Sequence, residues 1–177
     1  MDRAIIVIDM QNDFVFGDLS TDEAREMLPR LIDKLEEVVK EKSADLIFTQ
    51  DTHKDDYLST QEGRNLPIVH CIKNSEGWEL ISDLKRFTPY AKAVIEKKTF
   101  GSTRLPSLIK PYREVIFMGV CTDICILANA ILVKSFYPEL LVSVDASCCA
   151  GTTPEAHQQA LNVMRNCQCR IINEDAQ

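Results

Sequence analysis

The sequence predicts an α/β fold built on a mostly parallel sheet of five or six strands. Short β-rich apolar runs recur along the chain, separated by stretches of helical periodicity. The first run, Ala4-Ile5-Ile6-Val7-Ile8, has no polar position on either face, as a strand covered on both sides requires. Chemistry-bearing residues also sit where such runs end. Asp9 closes the first, Lys97 closes Ala93-Val94-Ile95-Glu96, and Cys125 follows Val115-Ile116-Phe117-Met118-Gly119-Val120. Ligands of such sheets bind beyond the carboxyl ends of the strands, so these exits are expected to converge.

Taken in order, strand one spans Arg3 to Ile8. Ser20 to Glu23 has capping-box spacing and suggests a short turn. A firmer helix is expected to begin at Pro29, where a missing N–H costs nothing, with Leu31, Ile32, Leu35, Val38 and Val39 on one face. Strand two runs from Asp45 to Gln50. Periodicity then disappears between Asp51 and Gly77, and so long an unpatterned stretch in a compact domain points to function. Trp78 to Phe87 is read as a helix, Ala93 to Lys97 as strand three and Leu105 to Lys110 as a helical turn or two. Strand four is Glu114 to Gly119. A helix from Thr122 to Tyr137 stops at Pro138, and Glu139 to Asp145 forms strand five. Thr153 caps a last helix that opens at Pro154 and reaches Asn166, and Arg170 to Asn173 forms a short edge strand.

The length, 177 residues, suits one domain covering residues 1–177. Twenty Lys and Arg against 27 Asp and Glu leave a net charge of −7 with no basic stripe, so no nucleic-acid partner is expected. No apolar stretch approaches a bilayer span, so no membrane role is expected. A strand begins almost at once, which does not resemble a signal peptide and favours a cytoplasmic location. Seven cysteines, an odd number without C-x-x-C spacing, fit reduced thiols better than a disulfide framework or a zinc knuckle.

Gly119-Val120-Cys121-Thr122-Asp123-Ile124-Cys125 reads as a strand, a sharp turn and a helix start. A thiol in the first helical turn feels the positive end of the macrodipole, which favours thiolate, and nearby N–H groups can hold an oxyanion. The plainer alternative is a small buried hydrophobe. Asp9 and Lys97, at the ends of buried strands, need a partner or a task; a structural ion pair is one answer, a base with its anchor another. Lys98 competes with Lys97, and strand alternation admits only one. Asp51-Thr52-His53 with Glu62 and His70 supplies carboxylate and imidazole ligands suited to a divalent ion. Cys71 is read as a buried neighbour of that set ahead of the alternative, a substitute ligand, and His157 as a solvated helix residue.

Ile8-Asp9-Met10-Gln11-Asn12-Asp13-Phe14, Lys97-Lys98-Thr99-Phe100 and Gly119 to Cys125 resemble the three signature segments of the isochorismatase-like cysteine hydrolases. Asp51-Thr52-His53 with His70 is similar to the metal segment of the nicotinamidase/pyrazinamidase branch. The likeness runs in order from residue 4 to about residue 150. It implies a three-layer α/β/α doubly wound fold and a catalytic triad of Asp9, Lys97 and Cys125. It also implies a cis peptide at Val120–Cys121 and an oxyanion site made by the N–H groups of Cys121 and Cys125. Asp51, His53 and His70 would hold one divalent metal, zinc first, with manganese or iron as alternatives. Glu62 stands in where some relatives carry a further histidine. Phe14 and Phe100, with Gln11, fall where that branch binds the pyridine ring. The implied reaction converts nicotinamide to nicotinate and ammonia through a thioester. Another small amide or carbamoyl substrate, or a non-catalytic metal or redox domain using Cys121 and Cys125, would fit the same residues. Relatives form dimers and tetramers, which leaves room for a homo-oligomer.

Overall fold

The computed structural model describes residues 1–176; Gln177, the last residue of the expected domain, lies outside the described residues. Six strands form one all-parallel sheet: β1 (Arg3–Ile8), β2 (Asp45–Asp51), β3 (Ala91–Lys97), β4 (Glu114–Val120), β5 (Leu141–Ala150) and β6 (Arg170–Ile172). Their order across the sheet is β3-β2-β1-β4-β5-β6. The helices are α1 (Asn12–Val15), α2 (Asp22–Glu41), α3 (Gln61–Asn65), α4 (Ser82–Lys85), α5 (Leu105–Ile109), α6 (Leu127–Phe136) and α7 (Pro154–Asn166).

Alternation along β1 builds the three layers. Ile5 and Val7 pack with Leu31, Leu35 and Val38 of α2 on one face. Ala4, Ile6 and Ile8 pack on the other with α5, α6 and α7 through residues such as Leu105, Ala130 and Leu161. Fully burying each large aliphatic side chain contributes roughly 1.5–3 kcal/mol, so both faces of the central strand are strongly held. Among the described residues no helix is long and apolar enough to cross a membrane.

Three expected elements are corrected. The helix expected from Pro29 starts at Asp22, because the Thr21 hydroxyl accepts a hydrogen bond from Ala24 N and the apolar face extends back through Met27 and Ala24. Pro29 therefore lies inside α2, on its exposed side, where water can reach the carbonyl left without a partner. The helix expected over Trp78–Phe87 shrinks to the single turn α4. The backbone before it pairs instead with the chain leaving β1: Asn12 N donates to Glu79 O and Ile81 N to Met10 O, both at 3.0 Å. Strand five continues beyond Asp145 to Ala150, slipping its register against β4 between Phe117 and Gly119. Asp145 stays buried in it because Ser147 Oγ and Asn173 Nδ2 donate to its carboxylate.

The sheet is wound outward from β1 in both directions, so the crevice between the exits of β1 and β4 is the topological switch point. Gly119 makes that crevice possible. Its φ is +115°, and a Cβ there would lie 2.2 Å from the carbonyl oxygen of Ile8. Only glycine lets β4 run this close to the residue preceding Asp9.

Candidate active site

Three strand exits meet at the switch point. Asp9 leaves β1 with a left-handed φ of 49°, which an aspartate tolerates better than most residues. Lys97 is the last residue of β3, and its Nζ lies 2.6 Å from Asp9 Oδ2, 3.1 Å from Asp51 Oδ1 and 3.5 Å from Cys125 Sγ. Lys98, one residue on, is exposed, so alternation selects Lys97. Cys125 follows β4 in a wide π-helical turn, Thr122–Ile126, in which Ile126 N bonds back five residues to Cys121 O. The expected helix from Thr122 is therefore this turn followed by α6. The Val120–Cys121 peptide is cis.

The electrostatics of the thiol differ from the sequence expectation. Burial, and then the charge of Asp9, push the Cys125 thiol well above its usual range, outweighing Lys97. Burial here opposes the thiolate that a helix terminus alone would favour. Asp9 is raised by burial, which the adjacent ammonium and the Thr49 hydroxyl only partly offset. Burial alone would lower Lys97, but the carboxylates of Asp9 and Asp51 beside it hold it charged. The result is a buried thiol and a buried carboxylate that share one charged ammonium.

A second cluster adjoins the first through one shared carboxylate. Asp51, at the end of β2, gives Oδ1 to Lys97 and turns Oδ2 toward His53 Nε2 at 3.0 Å and His70 Nε2 at 3.7 Å. Glu62 on α3 brings Oε1 to 3.5 Å from His53 Nε2 and 3.9 Å from His70 Nε2. One ligand atom from each of Asp51, His53, Glu62 and His70 thus lies within 4.8 Å of the others. Two imidazoles and two carboxylates facing a common point fit a divalent metal. His70 Nδ1 is tied to Ile68 O at 2.8 Å, the outer hydrogen bond that orients a metal-binding imidazole. Burial works against ionising Asp51, yet hydrogen bonds from both histidines and the charge of Lys97 hold its carboxyl far below the usual range.

Both clusters open on a cavity of about 200 Å³ whose wall is almost wholly apolar. Phe14, Leu66, Phe100 and Ile124 line its sides, with Cys125 and His70 among the polar groups that reach it. Phe14 meets His70 edge-on at 5.6 Å between ring centres, and Phe100 is partly open to solvent. Cys121 also lines the cavity.

Gln11 was expected to bind substrate, and the structure places it elsewhere. Its amide is consumed by the backbone: Nε2 donates to Asp51 O and Trp78 O, and Oε1 accepts from Asp51 N at 2.7 Å. It is fully buried and fixes the exit of β2 instead of facing the cavity. His157, read as solvated, is buried, its Nδ1 lying 2.8 Å from Thr122 Oγ1 in the turn that carries Cys125.

The sequence reading passed over three residues. Thr49 donates its hydroxyl to Asp9 Oδ1 at 2.7 Å; a lone polar residue in Leu46-Ile47-Phe48-Thr49 was the available signal. Tyr57 packs its ring against His53 and His70, at 4.6 Å and 4.9 Å between centres. Asp13 accepts a hydrogen bond from Cys71 N and so steadies the residue after His70. The last two carry no sequence signal, because their partners are remote and irregular.

A fold wound about a switch point that joins Asp9, Lys97 and Cys125 belongs to a known class. The Isochorismatase domain profile matches residues 3–176, and the chain belongs to that hydrolase family. Within it, the chain is 27% identical to a Nicotinamidase of Schizosaccharomyces pombe, over 97% of this chain and 93% of the relative. It superposes on the crystal structure of nicotinamidase PncA from Bacillus subtilis with a TM-score of 0.82 at 26% identity, covering 97% of this chain and 99% of that one. The fold also matches a Pyrococcus horikoshii pyrazinamidase solved in complex with zinc, with a TM-score of 0.82 at 24% identity over 97% of this chain and 99% of that one.

Proposed function

We propose that this protein is a metal-dependent cysteine amidohydrolase whose substrate is nicotinamide, which it converts to nicotinate and ammonia. One observation carries the reading: a buried thiol that lines an apolar cavity sized for a single aromatic ring is backed by a lysine and a carboxylate, beside four residues that could hold a metal. The nicotinamidase relatives support the choice of substrate.

In the proposed reaction Asp9 takes the proton of Cys125 as the sulfur attacks the amide carbon. The backbone N–H groups of Cys121 and Cys125 hold the oxyanion. Lys97 keeps the Asp9 carboxylate in place and balances its charge. Asp9 then passes the proton to the departing nitrogen, the C–N bond breaks, and ammonia leaves the acyl group on Cys125 as a thioester. Asp9 next draws a proton from water, the hydroxide adds to the thioester carbon, nicotinate departs, and the proton returns to sulfur. Phe14 and Phe100 enclose the ring and exclude water. Asp51, His53, Glu62 and His70 would hold the ion, most simply zinc, which supplies a Lewis-acid contact for the pyridine nitrogen and so orients the ring. A redox role for Cys121 and Cys125 fits less well. Burial pushes the Cys121 thiol up to about 12, which removes the thiolate that disulfide exchange needs.

The test is ammonia release from nicotinamide, pyrazinamide, benzamide and an aliphatic amide of similar size. The pyridine and pyrazine amides should be turned over, benzamide far more slowly for want of a ring nitrogen, and the aliphatic amide hardly at all. Release from the aliphatic amide alone would transfer the site to another substrate class.

A further inference from the structure

We infer that Asn129 is a positioning residue that sets the aromatic wall of the cavity against the nucleophile; the inference deepens the amidase reading and rests on it. Asn129 lies on α6, one turn beyond Cys125, and is fully buried. Its side chain spends every polar atom on two segments. Nδ2 donates to Cys125 O at 2.7 Å and to Phe100 O at 3.0 Å, and Oδ1 accepts from Ser102 N at 2.9 Å. Both donor hydrogens of the amide are thereby used, and the same group grips the nucleophile residue and the loop that carries Phe100.

That loop has little else to hold it where it matters. Thr99 and Phe100 are exposed, and the Thr99 carbonyl is met by Lys97 Nζ at 3.2 Å. Phe100 nevertheless forms one side of the cavity whose floor holds Cys125. A ring on an exposed loop keeps a fixed distance from the sulfur only if something buried ties the two together. Asn129 makes that tie. Aspartate has the same shape but no donors, and would set its charge against two carbonyl oxygens.

The experiment is a double-mutant cycle on nicotinamide turnover with Asn129→Ala, Phe100→Ala and the pair, with Asn129→Asp as a second probe of the same site. Circular dichroism checks folding. Asn129→Ala should raise KM about tenfold, as the loss of a hydrogen-bonded placement does, yet change KM less than about twofold when Phe100 is already alanine. Independent, multiplying losses in folded variants would overturn the inference, as would an unchanged KM or failure of both Asn129 variants to fold. Alkylation of Cys125, located by mass spectrometry, provides a readout that does not depend on the amidase reading. An N-phenyl haloacetamide should outpace iodoacetamide on the parent protein, and that preference should vanish equally in Asn129→Ala and Phe100→Ala. Inactivity of the parent on nicotinamide would refute the amidase reading alone; retention of the alkylation preference in Asn129→Ala would refute the role of Asn129.

Discussion

In the proposed reaction Asp9 is the base, and its surroundings set when it can act. It is fully buried, paired with Lys97 and bonded by Thr49, and burial is what raises its pKa. The Thr49 hydroxyl favours the charged carboxylate, so removing it raises the pKa further. A base must be unprotonated to work, and activity is lost as pH falls through its pKa. Thr49→Val should therefore move the acid limb of the kcat/KM profile to higher pH and lower the plateau by roughly tenfold. A profile that overlays the parent's would remove Thr49 from the mechanism. The meeting of Asp9, Lys97 and Cys125 was legible in the sequence because Asp9 and Lys97 end apolar runs and Cys125 follows a third within about one turn and a half. Gln11 misled because its neighbours Asn12 and Asp13 are polar too; the bonds it makes to Asp51 and Trp78 join segments far apart in sequence. Thr49 and Asn129 belong to buried faces, where one polar residue looks like noise until its partner is seen.

At the scale of elements, the nucleophile turn depends on how closely β4 approaches β1. Gly119 adopts a φ of +115°, and a side chain there would strike the Ile8 carbonyl. Gly119→Ala should cost at least about 2 kcal/mol, combining the φ penalty with a core clash that pushes Asp9 from its place. Urea unfolding measures this; a loss below about 0.5 kcal/mol would mean that the two strands can separate freely. The strands that line the switch point were readable to within a residue or two, since uniform apolar runs have one explanation. Helix starts were less so. Pro29 imitates a first helical position, while the true start depends on the Thr21 cap about two turns upstream. The extension of β5 was hidden because Asp145 and Ser147 look like the end of a strand until they are seen to satisfy each other.

For the whole molecule, the fold brings strand exits from opposite halves of the sequence to one crevice and sets a candidate metal-binding cluster beside it. Asp51 joins the two clusters, so an ion held there ties β2, α3 and the segment at His70 together. Binding that favours the folded state should raise Tm. Stripping with a chelator should lower Tm by roughly 5 °C or more, and zinc should restore it. An unmoved Tm would reassign the four residues to packing. The stretch from Asp51 to Gly77 has candidate ligand residue types legible in its sequence but not their geometry, because two short elements and several turns fold them inward. Everything converges on the sulfur of Cys125, and the most direct test is the kcat of Cys125→Ala on nicotinamide, with folding and metal content matched to the parent. The mechanism predicts a loss on the order of 10⁴-fold or more; turnover within about tenfold of the parent would contradict it.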